Sequence, residues 1–124
     1  QLDEKAYRWF LLGYLYHHHL QRYQDAGAAY LKAIQLDEKA VPLYGLGTLY
    51  QDYLGRYQEA EAAYLKAIQL DENDAFPWNR LGTLYEDHLA RYQEAEAAYL
   101  KAIQLDENDA FPWNRLGTLY EDHL

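Results

Sequence analysis

Apolar residues along this chain recur at intervals of three and four, the period of an α-helix with one buried face. In residues 75–89 the stripe is Phe76, Trp78, Leu81, Leu84, Tyr85 and Leu89. Asp74 stands where a helix N-cap belongs, and Pro77 falls in the first turn, where its missing N–H costs little. In residues 93–105 the stripe is Ala95, Ala98, Tyr99, Ala102, Ile103 and Leu105. Its alanines permit close helix approach, and its Ala, Glu, Gln, Lys and Leu content favours helix intrinsically. The same reading along the chain predicts seven helices, at 6–20, 24–36, 41–54, 58–70, 75–89, 93–105 and 110–124. No stretch alternates as a half-buried strand would, so no sheet is expected. Links of only a few residues, such as the one around Ala90 and Arg91, force neighbouring helices antiparallel.

The pattern is periodic on a longer scale. Leu-Gly-x-Leu-Tyr occurs four times, with its glycines at 13, 47, 82 and 117, spaced by 34, 35 and 35 residues. Ala-Tyr-Leu-Lys-Ala-Ile-Gln-Leu-Asp-Glu begins at Ala29, Ala63 and Ala98, alternating with the first string. The units are 6–36, 41–70, 75–105 and a half-unit 110–124, read as a single array over 1–124. One hairpin cannot bury both of its apolar faces, but stacked hairpins bury a continuous core. Residues 56–89 are identical to residues 91–124, a run of 34 positions. Such copying fits a recent duplication in a natural array or a designed consensus array. The idiosyncratic first unit, with Tyr7, Trp9, Phe10, Tyr14 and His17-His18-His19, favours the natural origin.

Trp78, Leu81, Gly82 and Tyr85, followed by Ala95, Tyr99 and Ala102, resemble the tetratricopeptide repeat (TPR). The match recurs at Trp9, Leu12, Gly13, Tyr16, Ala26, Tyr30 and Ala33, and at Leu43, Leu46, Gly47, Tyr50, Ala60, Tyr64 and Ala67. It ends with Trp113, Leu116, Gly117 and Tyr120. The resemblance implies an all-α fold, an α-solenoid of stacked antiparallel hairpins in a right-handed superhelix, whose role is to bind protein. Three features depart from the family pattern. The link between paired helices is one residue longer than usual, the junction Lys39-Ala40 is one residue shorter than Asn73-Asp74-Ala75, and Glu38, Glu72 and Glu107 stand where a proline is usual.

In the family the first helix of each hairpin lines the concave groove. Carried over, that row is Phe10, Leu11, Tyr14, His17 and His18; then Tyr44, Gly45, Thr48, Gln51 and Asp52; then Asn79, Arg80, Thr83, Glu86 and Asp87; and last Asn114, Arg115, Thr118, Glu121 and Asp122. Arg80 and Arg115 are the residue type that grips a peptide carboxylate bidentately. The Lys/Asn/Arg clamp of chaperone-binding members is incomplete, because threonine occupies the asparagine position and the lysine is missing. The alternative is that the arginines pair with neighbouring carboxylates. Acids at the end of a first helix, Glu86-Asp87 and Glu121-Asp122, oppose the macrodipole. They point to a basic ligand, or to compensation by Arg91, His88 and His123.

Charge and composition narrow the remaining classes. A net charge of −9 argues against nucleic acid and anionic membrane surfaces and favours a basic partner. No apolar stretch is long enough to span a bilayer. The compartment stays open, leaning towards cytoplasm since no targeting segment is visible. The chain has neither Cys nor Ser, which removes thiolate sites and serine triads. Its glycines sit singly within helices, so no phosphate loop or cofactor is expected. Three consecutive helical histidines diverge by about 100° and cannot comfortably share one metal ion. The expectation is therefore a non-catalytic module that binds protein or peptide. Two alternatives are a scaffold without a natural ligand and a self-associating element. The last helix, 110–124, copies an internal helix verbatim, lacks the polar outer face of a cap, and is a candidate surface for homo-oligomers.

Overall fold

The computed structural model describes residues 1–124, and each element is a helix. In order they are α1 (Glu4–His18), α2 (Tyr23–Leu36), α3 (Ala40–Leu49), α4 (Tyr57–Leu70), α5 (Ala75–Leu84), α6 (Tyr92–Leu105) and α7 (Ala110–Asp122). Helices α3 and α5 continue into single π-helical turns, Tyr50–Leu54 and Tyr85–Leu89. The fold is thus all-α, built from antiparallel hairpins α1–α2, α3–α4 and α5–α6, with α7 alone. The sequence expectation holds to within one residue except at both ends of α1, expected at 6–20, and at the end of α7, expected at 124. Helix α1 starts earlier because the Asp3 carboxylate caps the Ala6 N–H at 2.9 Å. No helix is long and apolar enough to cross a membrane.

The extra link residue has a definite place. Its accommodation is a wide last turn on the first helix, closed by a residue in the left-handed region: Gly55 at φ 64° and Ala90 at φ 53°. In the first hairpin Gln21 does the same at φ 50°, after the Leu20 N–H bonds the Leu15 carbonyl at 3.2 Å. An arginine then clasps the turn. The N–H groups of Arg22, Arg56 and Arg91 donate to the carbonyls of Tyr16, Tyr50 and Tyr85 at 2.9, 2.9 and 3.0 Å. Their guanidinium groups lie 4.6, 4.9 and 4.6 Å from the centres of those same tyrosine rings. Each also pairs with an acid three residues on, Asp25, Glu59 or Glu94. Bonding to Arg91 holds the Glu94 carboxyl below its usual range. Identical residues at 120–124 keep one bond of this turn, from the Leu124 N–H to the Leu119 carbonyl at 3.2 Å, while α7 stays α-helical to Asp122.

Within each hairpin a tyrosine of the second helix lies on a glycine of the first. Tyr30, Tyr64 and Tyr99 are 1%, 0% and 0% exposed. A Cβ at Gly13 would sit 2.7 Å from the Tyr30 ring, one at Gly47 2.5 Å from Tyr64, and one at Gly82 against Tyr99. Ala26, Ala33, Ala60, Ala67, Ala95 and Ala102 are fully buried alongside. Removing side chains at these positions is what lets the backbones approach.

By compactness the chain divides into two units, Gln1–Leu70 and Asp71–Leu124. In the first, α2 packs on α3 as well as on α1, and Ile34, Ala40 and Tyr44 close over a core of Leu43, Ala63 and Ala67. In the second, α6 packs between α5 and α7.

A left-handed backbone costs an L-residue about 1 kcal/mol that glycine does not incur. Ala90→Gly is therefore expected to raise the unfolding free energy by about 1 kcal/mol, and Gly55→Ala to lower it by a similar amount. Urea unfolding of the two variants checks both signs.

Candidate functional site

The end of each first helix carries a polar side chain thirteen residues before the buried tyrosine of its hairpin, and the two meet. His17 Nδ1 and the Tyr30 hydroxyl are 3.0 Å apart. The Tyr64 hydroxyl donates to Gln51 Oε1 at 2.9 Å. The Tyr99 hydroxyl donates to Glu86 Oε1 at 2.9 Å. One helical position is thus His, Gln and Glu in successive repeats, and each partner satisfies a phenol that would otherwise be buried unpaired. Burial raises the Tyr30 and Tyr99 phenols above the ordinary tyrosine range, and for Tyr99 the bond to Glu86 adds to it.

In the Asp71–Leu124 unit the carboxylate at this position recruits a cation. Arg115 Nε donates to the Tyr99 hydroxyl and to Glu86, both at 3.2 Å, while its Nη2 reaches Glu86 at 2.8 Å and Asp87 at 2.7 Å. Partial burial opposes the guanidinium charge, but Tyr99, Glu86 and Asp87 outweigh it and raise its pKa above the usual arginine value. The acids closing the first helix are answered by Arg115 of α7, not by Arg91, whose guanidinium sits over Tyr85 and on Glu94. Pairing with neighbouring carboxylates, the alternative weighed for the arginines, is thus what Arg115 does. The Glu86 side chain is 8% exposed, so stripping it of its cation leaves a largely buried charge. Arg115→Gln is expected to cost about 3 kcal/mol. Adding Glu86→Gln, which reproduces the Gln51–Tyr64 arrangement, should restore most of that loss. A double-mutant cycle in urea measures it, and additive losses would contradict the coupling.

In the Gln1–Leu70 unit the corresponding region is aromatic. Phe10 and Tyr14 have ring centres 6.3 Å apart, Tyr14 and His18 4.2 Å, and His18 stacks on His17 at 4.0 Å. His17 also meets the Tyr53 ring edge-on at 5.4 Å. Burial, and secondarily the neighbouring His18, push the His17 imidazole down to about 4, with Asp52 acting weakly in the opposite sense. A histidine whose folded pKa lies below its unfolded value of about 6.5 takes up its proton preferentially when unfolded. Its contribution to stability is complete above pH 6.5 and is lost as pH falls from there towards 4. His17→Gln, the residue found at the matching position of the second repeat, is expected to keep the Tyr30 bond and flatten this dependence. Thermal unfolding at pH 7, 6, 5 and 4 for both proteins measures the difference.

The remaining predicted groove residues fall into two groups. Tyr14, His18, Asp52, Asp87, Asn114, Thr118, Glu121 and Asp122 are exposed, and Phe10, Tyr44, Thr48, Asn79, Arg80, Glu86 and Arg115 are half-buried. Three expectations need correction. His17, Gln51 and Thr83 are only 4%, 5% and 8% exposed, because the first two face the buried tyrosines and Thr83 packs inward. The hydroxyls of Thr48, Thr83 and Thr118 turn back onto helix carbonyls, those of Gly45, Arg80 and Asn114. Asn79 Nδ2 reaches Asp109 at 3.4 Å. No three histidine or carboxylate side chains converge as metal ligands. Sequence reading placed the tyrosines in the packing but missed their bond to groove-row residues; the constant offset of thirteen positions was the available signal.

Models of the tetratricopeptide repeat match residues 6–39, 41–74 and 63–97. The chain belongs to the tetratricopeptide repeat family. Among solved structures, the first TPR of Spaghetti (RPAP3) bound to the HSP90 peptide SRMEEVD superposes with a TM-score of 0.87. It is 21% identical, over 97% of this chain and 94% of that one. The Arabidopsis OM64 TPR domain gives 0.87 at 24% identity over 98% of both chains. MamA gives 0.86 at 26% identity, over 94% of this TPR chain and 67% of its own. No curated protein sequence matches. Read as a TPR protein, the chain sets its helix spacing with the buried alanines and the glycines that lie under Tyr30, Tyr64 and Tyr99.

Proposed function

We propose that this TPR protein is a non-catalytic interaction module that takes a protein or peptide segment along the exposed faces of its first helices. The observation that carries the reading is the aromatic row on α1. Tyr14 is 45% exposed and lies between the tilted rings of Phe10 and His18, an anchor of the kind that dominates binding energy. Acidic side chains lie on the same class of surface in both units, Asp52 in one and Glu121 and Asp122 in the other, and the net charge is −9. The preferred segment is therefore basic with apolar or aromatic anchors. An acidic C-terminal peptide such as the one bound by the RPAP3 domain is disfavoured, because Arg115 is already neutralised by Glu86 and Asp87.

The test is fluorescence anisotropy with the peptide SRMEEVD and a counterpart carrying lysines in place of its three acids. The basic peptide should bind at least ten-fold more tightly, with salt-sensitive affinity. Tyr14→Ala should weaken it about ten-fold or more. Equal or stronger binding of the acidic peptide, or indifference to Tyr14→Ala, would refute the reading.

A further inference from the structure

The string Ala-Tyr-Leu-Lys-Ala-Ile-Gln-Leu-Asp-Glu stands unchanged in every hairpin, beginning at Ala29, Ala63 and Ala98 on the second helices. The first helices are not kept in this way: Tyr7, Leu11, Tyr14 and His18 of α1 stand where α3 has Val41, Gly45, Thr48 and Asp52. Packing accounts for part of the string, because Ala29, Tyr30 and Ala33 of α2 and their copies are buried. It does not account for the rest. Leu31, Lys32 and Gln35 are exposed, as are Leu65, Lys66 and Gln69 of α4, and Leu100 and Gln104 of α6, with Lys101 half-buried. With the exposed Ala28, Ala62 and Ala97 just before them, these residues follow the spacing of one outward helix face. A single exposed leucine is ordinary on a protein surface. The same leucine and lysine three times over, where packing makes no demand, point to a contact.

The face stays open when a further hairpin is stacked beside it. Helix α2 packs on α1 and on α3 of the next hairpin, yet Leu31 is 43% exposed, close to the 48% of Leu100 on α6. Its charge also sets it apart. The chain carries −9 overall, but the face formed by Ala28, Leu31, Lys32 and Gln35 and its copies holds lysine and no acid. The nearest acids, Asp25, Glu59 and Glu94 in the first turns, are neutralised by Arg22, Arg56 and Arg91. Lys66 rests on Glu38 at 3.6 Å with both side chains nearly half exposed, a surface pair that an incoming carboxylate replaces at little cost. Lys101 Nζ meets the neutral Gln104 Oε1 at 3.5 Å.

We infer that the outer face of each second helix is a docking site for an acidic amphipathic helix of a partner protein. Carboxylates of that helix answer the lysines, its apolar side chains cover the leucines, and Ala28, Ala62 and Ala97 let the backbones come near. An anionic bilayer is a poorer occupant, because the net charge of the chain repels it. A second copy docking by the same face would set lysine against lysine. The site lies on second helices and the peptide-binding row on first helices, so each stands without the other.

The probe is a labelled peptide of about 20 residues, long enough to form helix, with leucine on one face and glutamate flanking it. Its counterpart has glutamine for every glutamate. Both are titrated with the full-length chain by fluorescence anisotropy. The acidic peptide should bind saturably, about ten-fold or more tighter than its neutral counterpart, with affinity that falls as salt rises. Two triple variants locate it, Leu31→Gln with Leu65→Gln and Leu100→Gln, and Lys32→Gln with Lys66→Gln and Lys101→Gln. Each should weaken binding about ten-fold or more. Leucine, lysine and glutamine are similar helix formers and the positions lie outside the core, so thermal midpoints should hold. Tyr14→Ala should leave the affinity unchanged. Absence of saturable binding at millimolar peptide, equal binding of the neutral counterpart, or binding that survives both triple variants would overturn the proposal. So would loss of binding in Tyr14→Ala, which would place the peptide on α1. Two further results would reassign the face and overturn the partner helix. One is binding to phosphatidylserine vesicles that the leucine variant abolishes, without uptake of peptide. The other is a dimer in light scattering that the leucine variant dissociates, again without uptake of peptide.

Discussion

A tyrosine ring resting on a glycine sets the distance between the two helices of every hairpin, and most other features follow from that contact. The ring fills the space that a Cβ at Gly13, Gly47 or Gly82 would need, so glycine is obligatory there even though it weakens a helix interior by roughly 0.5–1 kcal/mol. Burying the ring also buries its hydroxyl, which must find a partner. In every hairpin the end of the facing helix, thirteen residues back, supplies one. His17, Gln51 and Glu86 are three chemical solutions to one geometric demand.

Those solutions carry different electrostatic consequences. Glutamine is neutral and satisfies Tyr64 without further support. Histidine serves as long as it stays neutral, and burial enforces that by depressing its pKa to about 4. Glutamate brings a charge into a largely buried position, which is tolerable only with a cation close by. Arg115 provides it and, by engaging Glu86 and Asp87 together, ceases to be available for a ligand carboxylate. A choice made for packing inside the hairpin thus decides where an arginine of the next helix is held.

Helix number, pairing and nearly every boundary were legible in the sequence because each rests on local periodicity repeated three to four times. The wide turn was visible only as one residue too many. Placing that residue needed the left-handed φ of Gln21, Gly55 and Ala90 and the arginine stacked on the tyrosine six residues before it. Neither follows from hydrophobic pattern, since Gln and Ala carry no turn signal. The groove row was legible as positions but not as exposure. A family register says which helix face a residue occupies, whereas burial of His17 and Gln51 depends on where the tyrosine hydroxyl ends.

The verbatim duplication separates what sequence encodes from what position adds. Residues 85–89 form a full π turn, whereas their copies at 120–124 keep a single bond of it, from the Leu124 N–H to the Leu119 carbonyl. Gly82 is covered and Gly117 is bare. Arg115 joins Glu86 and Asp87, whereas Glu121 and Asp122, the copies of those acids, remain exposed on α7. The same fifteen residues, 75–89 and 110–124, are therefore interior wall in one place and exposed helix face in the other. The difference lies in one neighbouring helix.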